Sequence, residues 1–125
     1  MRESNMSRDQ ASTNWETIQD AIHKIYMKEA STLSYEELYR TAYHLVLYKH
    51  GQMLYDNVKD TTVQLLRPIA DELVRAHEDR FLKEFNLKWK ETKMCIDMIR
   101  DILLYMNKNF VPKYNLPLVE NMQYS

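Results

Sequence analysis

The 125-residue chain is long enough for one domain with a single core and too short for two. Hydrophobic residues make up 45% and charged residues 28%, while one glycine and three prolines leave little material for the turns of an all-β fold, so helix is the class that fits. A formal charge of −1 gives no long-range field to gather nucleic acid or an anionic membrane.

Residues 1–12 are polar, mixed in charge and without periodicity, and are expected to form a disordered arm. They lack the apolar stretch of a signal peptide, and no run in the chain reaches the roughly 18 apolar residues of a membrane span. A cytoplasmic or nuclear protein is expected. Thr13-Asn14-Trp15-Glu16 has the form of a capping box, and Trp15, Ile18, Ile22, Ile25 and Tyr26 then recur at intervals of three and four, predicting a first helix that ends near Lys28.

After a short connection, the stretch Ser34 to Gly51 has both a start and a stop signal. Ser34 can cap the first turn while Glu37 reaches back to the Ser34 N–H, and the acids Glu36 and Glu37 suit the positive end of the helix dipole. At the far end Lys49 and His50 suit the carbonyl end, and Gly51 is expected to close the helix in the left-handed conformation. Stepping about 100° per residue puts Leu38, Ala42, Leu45 and Val46 on a core stripe, with Tyr35, Tyr39 and Tyr43 along its edge. A tyrosine offers a broad apolar ring and a hydroxyl that needs a partner, so this row suits either the border of a core or a protein interface.

From Leu54 a third helical stripe runs through Val58, Thr61, Thr62 and Leu65 toward Pro68, where the helix is expected to kink or split before continuing through Ile69 and Leu73 to about His77. A long fourth helix is expected from about Asp79. It has a stripe of Phe81, Phe85, Trp89, Thr92, Ile96 and Ile99, and an outer face of alternating lysines and glutamates that reads as solvated. Those interleaved glutamates argue against nucleic-acid binding around Trp89. Toward its end Cys95, Met98, Ile99, Ile102, Leu103 and Met106 form the apolar arc. Leu104 falls nearly opposite and Tyr105 lies on an edge, so that another element or a partner is needed to cover Leu104. Pro112 and Pro117 stop the helix, and residues 111–125 are expected to form an irregular tail.

No chemistry of catalysis is visible. His23, His44, His50 and His77 share no helix face with one another or with Cys95, so no metal set is expected. No phosphate loop, dinucleotide fingerprint or nucleophile elbow occurs, and no catalytic residue or cofactor is expected. The single cysteine reads as core packing in a reducing compartment.

Two blocks, however, resemble a known family. Leu33-Ser34-Tyr35-Glu36-Glu37-Leu38-Tyr39-Arg40-Thr41-Ala42-Tyr43, continuing through Leu45-Val46-Leu47 and Lys49-His50-Gly51 to Leu54-Tyr55, resembles the second-helix signature of cullins, and within them of the cullin-3 type that binds BTB-domain adaptors. Trp89 and then Met98-Ile99-Arg100-Asp101-Ile102-Leu103-Leu104-Tyr105-Met106 resemble a later helix of that family, with Leu104 in place of a methionine. The resemblance runs from about Trp15 to Phe110. It implies an all-α helical bundle of the cullin-repeat type with four main helices, the first and incomplete repeat spanning residues 13–110.

In that family the first repeat is a non-catalytic scaffold piece of a ubiquitin ligase and holds the substrate adaptor. The contacts the resemblance implies are Ser34, Tyr35, Leu38, Tyr39 and Tyr43 with Tyr105 on the later helix, and the uncovered Leu104 joins them. The RING-finger subunit binds a distant C-terminal domain, so it is not expected on this stretch. Three departures bear on function: Tyr35 stands where the family commonly has phenylalanine, the arm lacks the apolar residues of the cullin-3 type, and the tail does not match a fifth helix. The expected function is therefore adaptor binding, with competition against an intact cullin as a consequence. The alternative is a degenerate paralogue with no productive partner.

Overall fold

The structure is a computed structural model that describes residues 6–75, 78–114 and 116–124. Residues 1–5 of the expected arm, Ala76 and His77 at the expected helix boundary, Asn115 and the final Ser125 lie outside the described residues. Four long helices form the bundle: α1 Arg8–Tyr26, α2 Tyr35–Leu47, α3 Gly51–Val74 and α4 Glu78–Ile102. Short 3₁₀ turns at Ala30–Thr32 and Val119–Tyr124 and a π-helical turn at Met106–Phe110 complete the order. Among the described residues no strand occurs, and no helix is long and apolar enough to cross a membrane.

Helix α1 begins six residues earlier than the Thr13 cap predicts. Its capping box is Ser7-x-x-Gln10: the Gln10 N–H donates to Ser7 Oγ at 3.1 Å and the Ser7 N–H donates to Gln10 Oε1 at 2.9 Å. Thr13 is instead mid-helix, its hydroxyl donating to the Asp9 carbonyl at 3.1 Å. Residues 8–12 are thus helical rather than disordered, and Ala11 is buried in the core. Just before the helix, His50 Nε2 lies 2.9 Å from the Met6 carbonyl oxygen, to which it donates when that nitrogen carries the ring proton.

Both α1 and α2 end in the same device. Beyond the α1 cap Met27, the Glu29 N–H donates to the Lys24 carbonyl and the Lys28 N–H to the Ile25 carbonyl. Beyond the α2 cap Tyr48, the His50 N–H donates to the Leu45 carbonyl and the Lys49 N–H to the Val46 carbonyl. This is the Schellman pattern, and its left-handed residue is a lysine each time: Lys28 at φ 63° and Lys49 at φ 72°. Gly51 therefore does not close α2 as expected. It opens α3 and is buried, and no glycine has a positive φ.

Helix α3 is one helix through Pro68, not two. Proline removes the bond to the carbonyl four residues back, but Gln64 and Pro68 are both exposed, so water can take that carbonyl. The core gathers Trp15, Ile18, Ile22 and Ile25 of α1 with Leu38, Ala42 and Leu45 of α2, Leu54 and Val58 of α3, and Ile99, Ile102 and Leu103 of α4. It stops near Thr62 and Thr92. Beyond that level Phe81, Phe85 and Trp89 stack in a row on α4 and remain exposed.

The tail is more ordered than its sequence predicts. Val119 and Met122 are buried in the core. Asn107 holds the tail by both ends of its amide: Oδ1 accepts from the Val119 N–H at 2.9 Å and Nδ2 donates to Glu120 at 2.7 Å. The Tyr55 hydroxyl donates to the Pro117 carbonyl at 2.8 Å.

Candidate functional site

The two sequence blocks meet in space. Helix α2 packs on α4 and on the π-helical turn that follows it, which brings the tyrosine edge of α2 against Tyr105. Tyr43 and Tyr105 touch edge to face, their ring centroids 4.5 Å apart and the planes at 70°. That arrangement sets the positive rim of one ring on the negative face of the other. Both rings are half-buried. His44 extends the row, with its ring 5.5 Å from Tyr43 and 5.9 Å from Tyr48.

Around this pair the predicted residues separate into two groups. Ser34 is exposed at the start of α2, and Tyr39, one turn before Tyr43, and Leu104, next to Tyr105 in the chain, are each 37% exposed and leave apolar surface open. Leu38 does not: at 5% exposure its side chain belongs to the core, because the 3.6-residue period that aligns it with Ala42 and Leu45 turns it inward. Tyr35 is half-buried and its hydroxyl points into the chain's own packing, where it has no hydrogen-bond partner among the described residues. Burial, and secondarily the charges of Asp101 and Cys95, raise its pKa above the usual tyrosine value. The hydroxyl that distinguishes Tyr35 from the family's phenylalanine is thus buried and unpaired within the chain.

Ser34 caps α2 by accepting from the Glu37 N–H at 3.4 Å, but the return bond from Glu37 is absent, so only half the capping box forms. Arg40 pairs with Glu36 at 3.4 Å on the exposed face, and Arg100 lies 3.4 Å from Asp97 and 3.7 Å from Asp101.

A groove of about 530 Å³ continues from Tyr105, lined by Val46 and Leu47 of α2, Gly51 and Gln52 of α3, Phe110 at the end of the π turn and Tyr114 beyond it. Sequence periodicity does not single out Leu47, Phe110 or Tyr114. At 100° per residue Tyr105 and Phe110 stand about 140° apart, on different faces. The π turn, closed by the Val111 N–H on the Met106 carbonyl, brings residues five apart toward one face.

Elsewhere, Cys95 is buried, its thiol donating to the Ile25 carbonyl at 3.6 Å and its pKa raised chiefly by burial. Among the described residues no group of three histidine, cysteine, aspartate or glutamate side chains is placed to hold a metal ion.

Comparison with known proteins identifies the family. The family model described as the cullin alpha solenoid domain matches residues 15–125, which includes the tail. The chain is 41% identical over 105 residues to cullin-3 of Dictyostelium discoideum, covering 84% of this chain and 14% of that protein. It is 42% identical over 101 residues to cullin-3A of Arabidopsis thaliana, covering 81% and 14%. Against cullin-3 of Caenorhabditis elegans it is 38% identical over 112 residues, covering 83% and 14%. The chain thus spans about one-seventh of the length of these relatives. With a family model matched over 111 of its residues and both signature blocks packed side by side, the chain belongs to the cullin family.

Proposed function

We propose that this chain is a non-catalytic scaffold segment of a cullin-based ubiquitin ligase and that it binds a BTB-domain adaptor across α2 and the end of α4. The observation behind this reading is the Tyr43–Tyr105 pair, which joins the two motif blocks, with Tyr39, Leu104 and Ser34 of the same blocks exposed. Aromatic rings with one free edge and a polar tip are the side chains from which protein interfaces draw most of their energy. Expressed by itself, the 125-residue polypeptide occupies the adaptor without engaging the RING-finger subunit, and so competes with an intact cullin in the cytoplasm or nucleus.

A second reading, a paralogue with no productive partner, draws support from the exposed Phe81, Phe85 and Trp89, a large apolar surface for a free-standing bundle. Mixing the purified chain with a panel of BTB domains and measuring complex formation by calorimetry separates the two. Saturable one-to-one binding supports the adaptor reading, and no complex at high micromolar concentration favours the second.

A further inference from the structure

The groove next to the tyrosine pair differs from it in charge. Its rim bears Lys49 and Lys113, its other polar lining residues are the neutral Gln52 and Asn109, and no carboxylate lines it. Asp56, one turn along α3, is held by the Gln52 amide at 3.0 Å. Neither lysine forms a salt bridge among the described residues. Lys113 Nζ instead lies 5.7 Å from the centre of the Tyr114 ring.

Helix α3 also starts here, with no side-chain cap from His50 and no acidic residue in its first turn, so the positive end of its dipole is uncompensated. Lys49 sits at φ 72°, in the same left-handed cap position as Lys28 at the end of α1, and its exposed side chain stands at the groove rim. Leu47, 45% exposed, and Tyr114, 53% exposed, supply apolar walls.

We propose that this groove is a second, electrostatic contact for the adaptor. It takes a carboxylate-bearing loop whose acids face Lys49 and Lys113 and whose aliphatic stems lie on Leu47 and Tyr114. The proposal rests on the adaptor reading, since the groove is continuous with Tyr105. It goes further in naming the charge of the bound loop and in predicting a salt-sensitive association rate, as rim charges give.

The test compares three proteins against a BTB domain that binds the wild-type chain: wild type, Tyr43→Lys, and the double variant Lys49→Glu/Lys113→Glu. Both lysines are exposed, so circular dichroism and thermal melting are expected to be unchanged in the double variant, and Lys49→Gln/Lys113→Gln serves as the milder version. The expected result is about a tenfold loss of affinity in the charge-reversed variant, mostly in the association rate, with the salt dependence of binding flattened. Adding the BTB domain to wild type is also expected to shift the nuclear magnetic resonances of the Val46 methyls and the Tyr114 ring. If Tyr43→Lys abolishes binding while the double variant binds as wild type does, with unmoved Val46 and Tyr114 signals, the groove contact is overturned and the tyrosine surface stands. If wild type binds no BTB domain, both are overturned.

Discussion

The ring of Phe110 covers Gly51 so closely that a Cβ on Gly51 would come within 2.6 Å of Cδ1 and 2.7 Å of Cε1. Glycine at the start of α3 is therefore required by a neighbour and not by backbone angle, since its φ is not positive. The contact ties the first turn of α3 to the π turn and so sets the width of the groove between them. Gly51→Ala must displace the Phe110 ring, and overpacking of this kind costs about 1–3 kcal/mol. Urea unfolding is expected to show that loss, and Phe110→Ala in the same chain to remove most of the additional cost of Gly51→Ala. Additive losses would mean that the ring is not what excludes a side chain at Gly51.

Lys49 leads to an opposite expectation for stability and for binding. A left-handed lysine is strained by roughly 1 kcal/mol relative to glycine, and the Schellman bonds at this site involve only backbone. Lys49→Gly should raise stability by up to about 1 kcal/mol in chemical denaturation. If the groove proposal holds, the same change weakens adaptor binding. A variant both more stable and equally well bound would show that the lysine has no role in binding.

How much of this is legible in the sequence depends on which spacing a feature obeys. The start of α2 at Ser34 follows from its cap, and the meeting of its edge with Tyr105 from the 3.6-residue period and the two motif blocks, and the structure has both. The start of α1 is hidden because its first turn holds Ala11 alone among buried residues, and because its capping box uses Gln10 where glutamate is the commoner signal. Gly51 misleads because a glycine after a lysine and a histidine looks like a helix stop, whereas its reason is Phe110, 59 positions later. The groove escapes because the π turn departs from the period by which faces are assigned. Leu38 shows the converse: its place in a family motif suggests contact, and its place on the stripe, which decides the matter, gives burial.

Two hydroxyls, on Tyr26 and Tyr35, are buried without partners among the described residues. An orphaned buried hydroxyl costs about 1–3 kcal/mol, so Tyr26→Phe is expected to be neutral or stabilising at neutral pH. The effect should widen in alkali. Burial first, and the Cys95 charge second, raise the Tyr26 pKa above the ordinary tyrosine range, and burial raises those of Tyr35 and Cys95.

A group whose pKa is raised in the folded state holds its proton there after the unfolded chain has lost it. Its contribution is full below the unfolded value, near 8.5 for the thiol and about 10 for tyrosine, and declines as the pH rises beyond it. Stability measured by urea should therefore fall from about pH 9 upward. Tyr26→Phe should flatten that decline, and an unchanged alkaline slope would show that the Tyr26 hydroxyl reaches water.

The proposed interface and the core beneath it share one helix, and substitutions on its two faces should separate cleanly. Leu38→Ala removes a side chain that is 5% exposed and packed in the core, so it is expected to cost about 2–5 kcal/mol of stability. Any loss of adaptor binding should then be no more than the unfolded fraction explains. Tyr43→Lys acts differently: the ring edge it replaces is half-exposed, so in the free protein the ammonium can reach water and the helical content should hold.

In the complex that ammonium would be enclosed without a counter-charge, and binding should become undetectable. Tyr105→Ala, which takes away the ring Tyr43 rests on, should fall between them, with a moderate loss of both stability and affinity. Calorimetric titration of each variant, set beside its thermal melting curve, separates lost contact from lost fold. Should Leu38→Ala abolish binding while remaining folded, or should Tyr43→Lys bind normally, the adaptor surface would have to be placed elsewhere on the bundle.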